Sequence, residues 1–129
     1  MFDARVAPES ALGLHYIIEF FGARSLEDCE PVQTVLREAA ELAGAVVLDE
    51  NIHDFGEGQG VTGVVVLAES HISIHTWPEH NYAAIDVFMC GDRVAPERSL
   101  DHLRAFFQPE SESVNRLQRG LAPAIAGRD

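Results

Sequence analysis

The chain has 129 residues, room for one domain around a single core, and 47% of them are apolar, an ordinary globular composition. Its formal net charge of −12 argues against nucleic acid as a partner, because phosphate recognition needs clustered lysine and arginine. All nine basic residues are arginine, which excludes both a pyridoxal phosphate enzyme, with its lysine Schiff base, and a P-loop, with its GK[ST] lysine.

Residues 1–13 read as a loose lead-in. Leu14 to Phe21 (LHYIIEFF) is apolar and aromatic enough for a buried strand. Ser25 followed by Asp28 resembles a capping signal, and a helix is expected over Pro31 to Ala43, with Pro31 in its first position and Gly44 just past its end. Val32, Val35, Leu36, Ala39 and Leu42 recur at i, i+3, i+4 spacing and predict its apolar face. Ala45 to Asp49 reads as a strand, and a glycine-rich loop (FGEGQG) follows. Val61 to Ala68 is a β-branched run typical of a central strand. Ile72 to Thr76 and Tyr82 to Met89 are two further strands joined by a turn at Pro78 to Asn81. A second amphipathic helix is expected over Pro96 to Phe107, buried through Leu100, Leu103, Phe106 and Phe107, and a last strand over Glu112 to Gln118. The order β-α-β-β-β-β-α-β predicts an α+β fold: a two-layer sandwich with a mostly antiparallel sheet and helices on one face.

No apolar run approaches the roughly 20 residues that span a bilayer. The opening MFDARVAPESALG lacks the basic and apolar regions of a secretory signal. Cys29 and Cys90 lie far apart in sequence, so free thiols in a cytoplasmic protein are expected. The acidity suits a cationic ligand, or is simply a solvated surface.

Polar and reactive side chains crowd into Glu69-Ser70-His71-Ile72-Ser73-Ile74-His75-Thr76-Trp77-Pro78-Glu79-His80. One reading is a half-buried strand with a wet outer face carrying His71, Ser73 and His75. A second is a metal site from His71, His75 and His80 with Glu69 or Glu79; the spacing matches no standard zinc signature and no cysteine is near, so no metal is expected. A third is nucleophilic. Ser70 stands where an apolar strand ends, beside histidines that can act as base, but no G-x-S-x-G elbow surrounds it. A different serine chemistry is open to it. Attack on the carbonyl of Glu69 makes an ester, elimination cuts the chain, and loss of ammonia leaves a pyruvoyl group. Its keto carbon can condense with a substrate amine and act as an electron sink without lysine.

The run Glu69-Ser70-His71-Ile72-Ser73-Ile74-His75-Thr76-Trp77-Pro78-Glu79 resembles the processing-site signature of prokaryotic S-adenosylmethionine decarboxylases. The likeness continues through Tyr82-Ala83-Ala84-Ile85-Asp86-Val87-Phe88 to Cys90-Gly91. It includes Gly60 to Val66 upstream, Gly13-Leu14-His15 at the start and Gln118-Arg119-Gly120 at the end, so it covers roughly residues 13–120. The resemblance implies a single domain that cuts itself between Glu69 and Ser70 into a β chain, 1–69, and an α chain, 70–129, with Ser70 becoming the pyruvoyl cofactor. It implies His75 as the base in processing, Cys90 as the proton donor in turnover, and Thr62, where the family usually has serine, as support for processing. Because Ser70 and His75 have opposite parity in a strand, a bend near Ser70 is expected. Phe55 resembles the aromatic that stacks on adenine, Glu79 a carboxylate near the ribose, and Trp77 lines the same pocket or packs. The stretch between Phe55 and Gly60 is one residue longer than the family's. The substrate implied is S-adenosylmethionine, decarboxylated for spermidine biosynthesis, in a homodimer of αβ units with shared sites. The alternatives are an arginine or ornithine decarboxylase on the same scaffold, or a non-catalytic ligand- or metal-binding domain.

Overall fold

The computed structural model describes residues 11–121, and its elements follow the order expected from the sequence. Strand β1 (Gly13–Phe21) leads to helix α1 (Cys29–Leu42). Strands β2 (Val47–Asp54), β3 (Val61–Leu67), β4 (Ser70–Trp77) and β5 (Tyr82–Cys90) come next, then helix α2 (Pro96–Phe107) and strand β6 (Ser111–Arg119). The six strands form one sheet in the order β2-β3-β4-β5-β1-β6. Every neighbouring pair is antiparallel, not merely most of them. Most of the lead-in expected over residues 1–13 lies outside the described residues, and Gly13 already belongs to β1.

Strand side chains alternate between faces, and here one face is apolar. Ile18 and Phe20 of β1, Val61 and Val65 of β3, Ile72 of β4 and Val87 of β5 are buried beneath the helices. They pack with Val32, Val35, Leu36, Ala39 and Ala40 of α1 and Leu100, Leu103 and Phe107 of α2. Each such large side chain contributes about 1.5–3 kcal/mol on burial. Leu42 was expected on this face but is 49% exposed, and Ala40 is buried instead. The helix ends at Leu42, with Ala43 as its C-cap, and its last turn has carried Leu42 away from the sheet. The exit is a Schellman motif: Gly44 takes φ +88, its N–H bonds to Glu41 O, and Ala45 N–H bonds to Ala40 O. At the other end Asp28 is the N-cap but makes no side-chain capping bond, so the expected capping signal does not operate as one. The helix also starts two residues before Pro31.

The second strand was expected to end at Asp49, but β2 runs to Asp54. Its DENIHD stretch has no apolar alternation, because β2 is an edge strand and polar edges are tolerated. Glu50 faces the helix layer and is held there by Arg37 at 2.7 Å and Gln33 at 3.1 Å.

Thr76, inside the reactive segment, is structural. It is 2% exposed, donates to Leu26 O at 2.8 Å and accepts Val61 N–H at 2.9 Å. It pins the start of β3 and the chain before α1 to the end of β4. Thr76→Val strands both partners, and the expected cost is about 1–3 kcal/mol, read as a lower urea midpoint at unchanged slope. An unshifted midpoint would remove Thr76 from this role.

Candidate active site

β3 and β4 are joined by the turn Ala68–Glu69, with Leu67 and Ser70 paired across its base. Two-residue hairpin turns favour residues with positive φ, because only those match the twist of the strands. Neither Ala68 nor Glu69 has positive φ; Ser70 has instead, at φ +145. For a serine that conformation costs on the order of 1–3 kcal/mol and persists only if the surroundings over-determine it. They do so from two sides. Ala68 N–H bonds to Val46 O at 2.9 Å, and Val46 N–H returns a 3.0 Å bond to Glu69 Oε1. Across the turn, Cys90 N–H donates to Glu69 O at 2.8 Å. The peptide carbonyl preceding Ser70 is therefore polarised by a backbone donor.

Cys90 thus stands beside the Glu69–Ser70 bond, on the sheet face away from the helices. Gly13 pairs with it on β1. A Cβ at Gly13 would lie 2.8 Å from Phe88 Cε1 and 3.1 Å from Cys90 Sγ, so glycine leaves the floor on which the thiol rests. Both described cysteines are free. The thiol of Cys29 is pushed up by burial and by Asp54 and Glu30, away from the reactive thiolate form.

His75 lies on the same open face but five residues along β4 from Ser70. At the rise of a strand this is about 17 Å. The backbone at Ser70 departs from a regular strand, yet the expected meeting of the two side chains does not occur within this chain. His75 instead joins Thr62, its cross-strand partner, whose Oγ1 is 3.2 Å from His75 Nδ1. Around it runs an aromatic ladder. His75 stacks on Trp77 with centroids 4.0 Å apart and planes at 9°, and Phe55 lies beyond His75 at 6.3 Å and 18°. Trp77 stacks on Tyr82 at 5.2 Å, and Tyr82 on Phe21 at 5.4 Å. Glu79 is exposed in the 3-10 turn Pro78–His80 that follows Trp77. The predicted site residues therefore form two groups: Glu69, Ser70 and Cys90 at one end of the sheet, and Phe55, Thr62, His75, Trp77 and Glu79 towards the other. A concavity of about 620 Å³ opens over the middle of this face, lined among others by His53, Thr62, Ser73, His75, Tyr82 and Asp86; of the second group only Thr62 and His75 border it.

Between the groups lies a network to which sequence reasoning assigned no role. Asp86 Oδ2 is 2.7 Å from His15 Nε2 and 2.9 Å from His71 Nε2, and Ser73 donates to its Oδ1. Arg119 Nη1 is 2.9 Å from His15 Nδ1. The only earlier signal was parity, which put His71 and Ser73 on one face; partners from β1, β5 and β6 are invisible to it. His15, His71 and Asp86 are spaced closely enough to hold a cation. The arginine decides against that, because a guanidinium only donates. His15 Nδ1 must accept, so its proton sits on Nε2 and is given to Asp86. His71, His75 and His80, the set weighed from the sequence, do not converge.

Burial would push the Asp86 carboxyl up, but the hydrogen bonds from Ser73, His15 and His71 outweigh it and hold it below the usual range. A depressed carboxyl contributes stability that is present above its unfolded pKa, near 4, and lost as pH falls through the lower folded value. Asp86→Asn is expected to cost on the order of 1–3 kcal/mol at pH 7 and much less near pH 2. Denaturation midpoints at the two pH values test this, and an equal loss at both would contradict it.

Comparison with known proteins gives one consistent outcome. The family profile described as S-adenosylmethionine decarboxylase matches residues 14–120. The S-adenosylmethionine decarboxylase proenzyme of Methanococcus vannielii is 46% identical over 112 residues, covering 85% of this chain and 91% of its own. That of Thermomicrobium roseum is 38% identical over 111 residues, covering 86% and 96%. The crystal structure of the adenosylmethionine decarboxylase from Aquifex aeolicus superposes with a TM-score of 0.79 at 33% identity, covering 88% of this chain and 94% of that one.

Proposed function

The chain belongs to the S-adenosylmethionine decarboxylase family, and from that premise we propose how its residues carry out self-processing and turnover. It is a carboxy-lyase made as a proenzyme, acting on S-adenosylmethionine. The observation that carries the detailed reading is the clamped, strained Glu69–Ser70 junction beside Cys90.

In processing, Ser70 Oγ attacks the Glu69 carbonyl carbon. The oxygen that gains charge is the one already bonded by Cys90 N–H, and one such preorganised donor is worth about 10²–10³ in rate. The strain stored at Ser70 is relieved as the peptide becomes an ester, which lowers the barrier further. Cleavage leaves Glu69 as the carboxyl end of residues 1–69 and Ser70 as the origin of a pyruvoyl group at the head of residues 70–129. Once formed, that group would supply a keto carbon for the substrate amine and an electron sink for the carboxylate-bearing carbon. The junction suits it: the residue is exposed enough for substrate to reach, and a thiol stands beside it. Cys90 then returns a proton to the substrate carbon that has lost carbon dioxide.

The base for processing is His75, held by Thr62, and at about 17 Å along its own strand it serves a different chain. The open face of the sheet supports this. Phe21, Val66 and Leu117 on it are 43%, 39% and 46% exposed, apolar side chains that a second sheet face would cover. We place a second copy there, in a homodimer of αβ units. A two-fold axis between the two faces and across the strands sets the Ser70 end of each sheet over the His75 end of the other. Phe55, Trp77 and Glu79 then reach the pyruvoyl site of the partner. The aromatic ladder supplies stacking for adenine and a π-face for the sulfonium, and Glu79 a carboxylate for ribose hydroxyls. Among the described residues no helix is long and apolar enough to cross a membrane. The free thiols fit work in the cytoplasm.

Denaturing mass spectrometry is expected to show two chains, 1–69 and 70–129, the latter short of the elements of ammonia. Ser70→Ala stays whole, whereas Cys90→Ala cleaves but loses at least about 10²-fold in turnover. A whole wild-type chain still carrying Ser70 would sink the mechanism. The shared site has its own test. Ser70→Ala and His75→Ala chains each remain uncut alone. Co-expressed, the His75→Ala chain is expected to be cut, using the histidine of its partner, while the Ser70→Ala chain is not. No cutting in the mixture would return processing to a single chain.

A further inference from the structure

Arg119 closes β6 in the same row of the sheet as the reactive thiol. Gly13 pairs with Cys90 on one side and with Arg119 on the other. Two strand spacings separate Arg119 from Cys90, about 10 Å between Cα atoms. The residue between them has no side chain, and the space above it is taken by the edge of the Phe88 ring, over which the arginine lies, and by the Cys90 sulfur. The guanidinium is directed to that place from two sides. Nη1 bonds to His15 Nδ1 at 2.9 Å, and Cζ lies 5.5 Å from the centre of the Phe88 ring. The edge of the same ring and the Cys90 sulfur converge on one point above Gly13. His15 is itself held by Asp86 at 2.7 Å. The chain Asp86–His15–Arg119 is thus a scaffold that orients a cation through contacts with a neutral imidazole and a ring. Neither contact neutralises it, so its charge is available to an anion.

The substrate brings one. Its reacting carbon carries an amine, which must meet the pyruvoyl group at residue 70, and a carboxylate, which must lie next to that carbon and to the Cys90 thiol. We propose that Arg119 binds the α-carboxylate of the substrate and so makes the site selective for amino acids over amines. This rests on the reading of Ser70 and Cys90 given above. A guanidinium matches a carboxylate by two parallel hydrogen bonds, which a lysine in its place would not reproduce. The contact has a kinetic signature. The carboxylate loses its charge as carbon dioxide departs, so Arg119 binds the ground state at least as well as the transition state. Its loss therefore falls on KM rather than on kcat.

The decarboxylated product differs from the substrate by the carboxylate alone, which makes it the control ligand. In the processed wild-type enzyme, KM for S-adenosylmethionine and the inhibition constant of the decarboxylated product are measured together. Arg119→Met keeps the stem and removes the charge; KM is expected to rise about 10- to 100-fold, while the product's inhibition constant moves less than about threefold. Arg119→Lys, which keeps a cation without the fork, is expected between the two. It carries the same ratio test should the Met variant fail to fold. An unchanged KM, or a KM and inhibition constant that rise together, would overturn the assignment, the second outcome making Arg119 a support for the site's shape. No carbon dioxide from wild type would instead overturn the parent reading and this one with it.

Discussion

Successive residues of a strand face opposite ways, and in this protein that alternation separates stability from chemistry. The helix-side residues of β1, β3, β4 and β5 are mostly apolar and buried, with Thr76 the buried polar exception. Those in between include His15, Glu19, Thr62, His71, Ser73, His75, Asp86 and Cys90, which would be costly in a core and are affordable on the face away from the helices. One sheet thus carries a core and a reactive surface without either intruding on the other. The glycines that break the pattern do so for space. At Gly60 a Cβ would stand 1.9 Å from Thr76 O, and at Gly13 it would meet the Cys90 sulfur.

Strain at Ser70 is a local consequence of the same regularity. The β3–β4 hairpin has the shortest common loop, yet Ala68 and Glu69 lack the conformational freedom that such a loop requires. The mismatch falls on Ser70 because both residues before it are fixed, through Val46 on one side and Cys90 on the other. A longer or glycine-containing turn would relax Ser70 and turn the Glu69 carbonyl away from its donor. A junction that is to break is better made stiff than flexible, since stiffness holds the hydroxyl, carbonyl and amide in one arrangement.

The elements that were legible in the sequence are those whose ends have a chemical cause. Helix α2 runs from Pro96 to Phe107 as expected, because Pro96 suits a first helical position and Gln108 leaves the helix at φ +45 just ahead of Pro109. A bend at Ser70 was expected so that its side chain could meet His75; the backbone there does leave the strand conformation, but the two are not brought together within the chain. What failed depended on partners distant in sequence. β2 extends through DENIHD because β3 offers it a ladder, and Leu42 is exposed in the last helical turn, two residues before Gly44 turns the chain. Within the site, Thr62 and Thr76 look alike in sequence. Only the register shows that one faces His75 and the other is buried under Leu26 O. Asp86 reads as one polar residue in a strand until β1 and β4 bring two histidines to it.

The most compact motif in the sequence is divided in space. Ser70 and His75 sit within one short run, and a regular strand holds them about 17 Å apart. On the proposed dimer, each copy of the run contributes its serine to one site and its histidine to the other. Neither site is complete in a lone chain. Processing then waits on assembly. A monomer keeps an intact Glu69–Ser70 bond, however strained, because the strain speeds a reaction that still lacks its base. On that proposal the irreversible cut would be confined to chains that have already found the partner with which they share a substrate pocket.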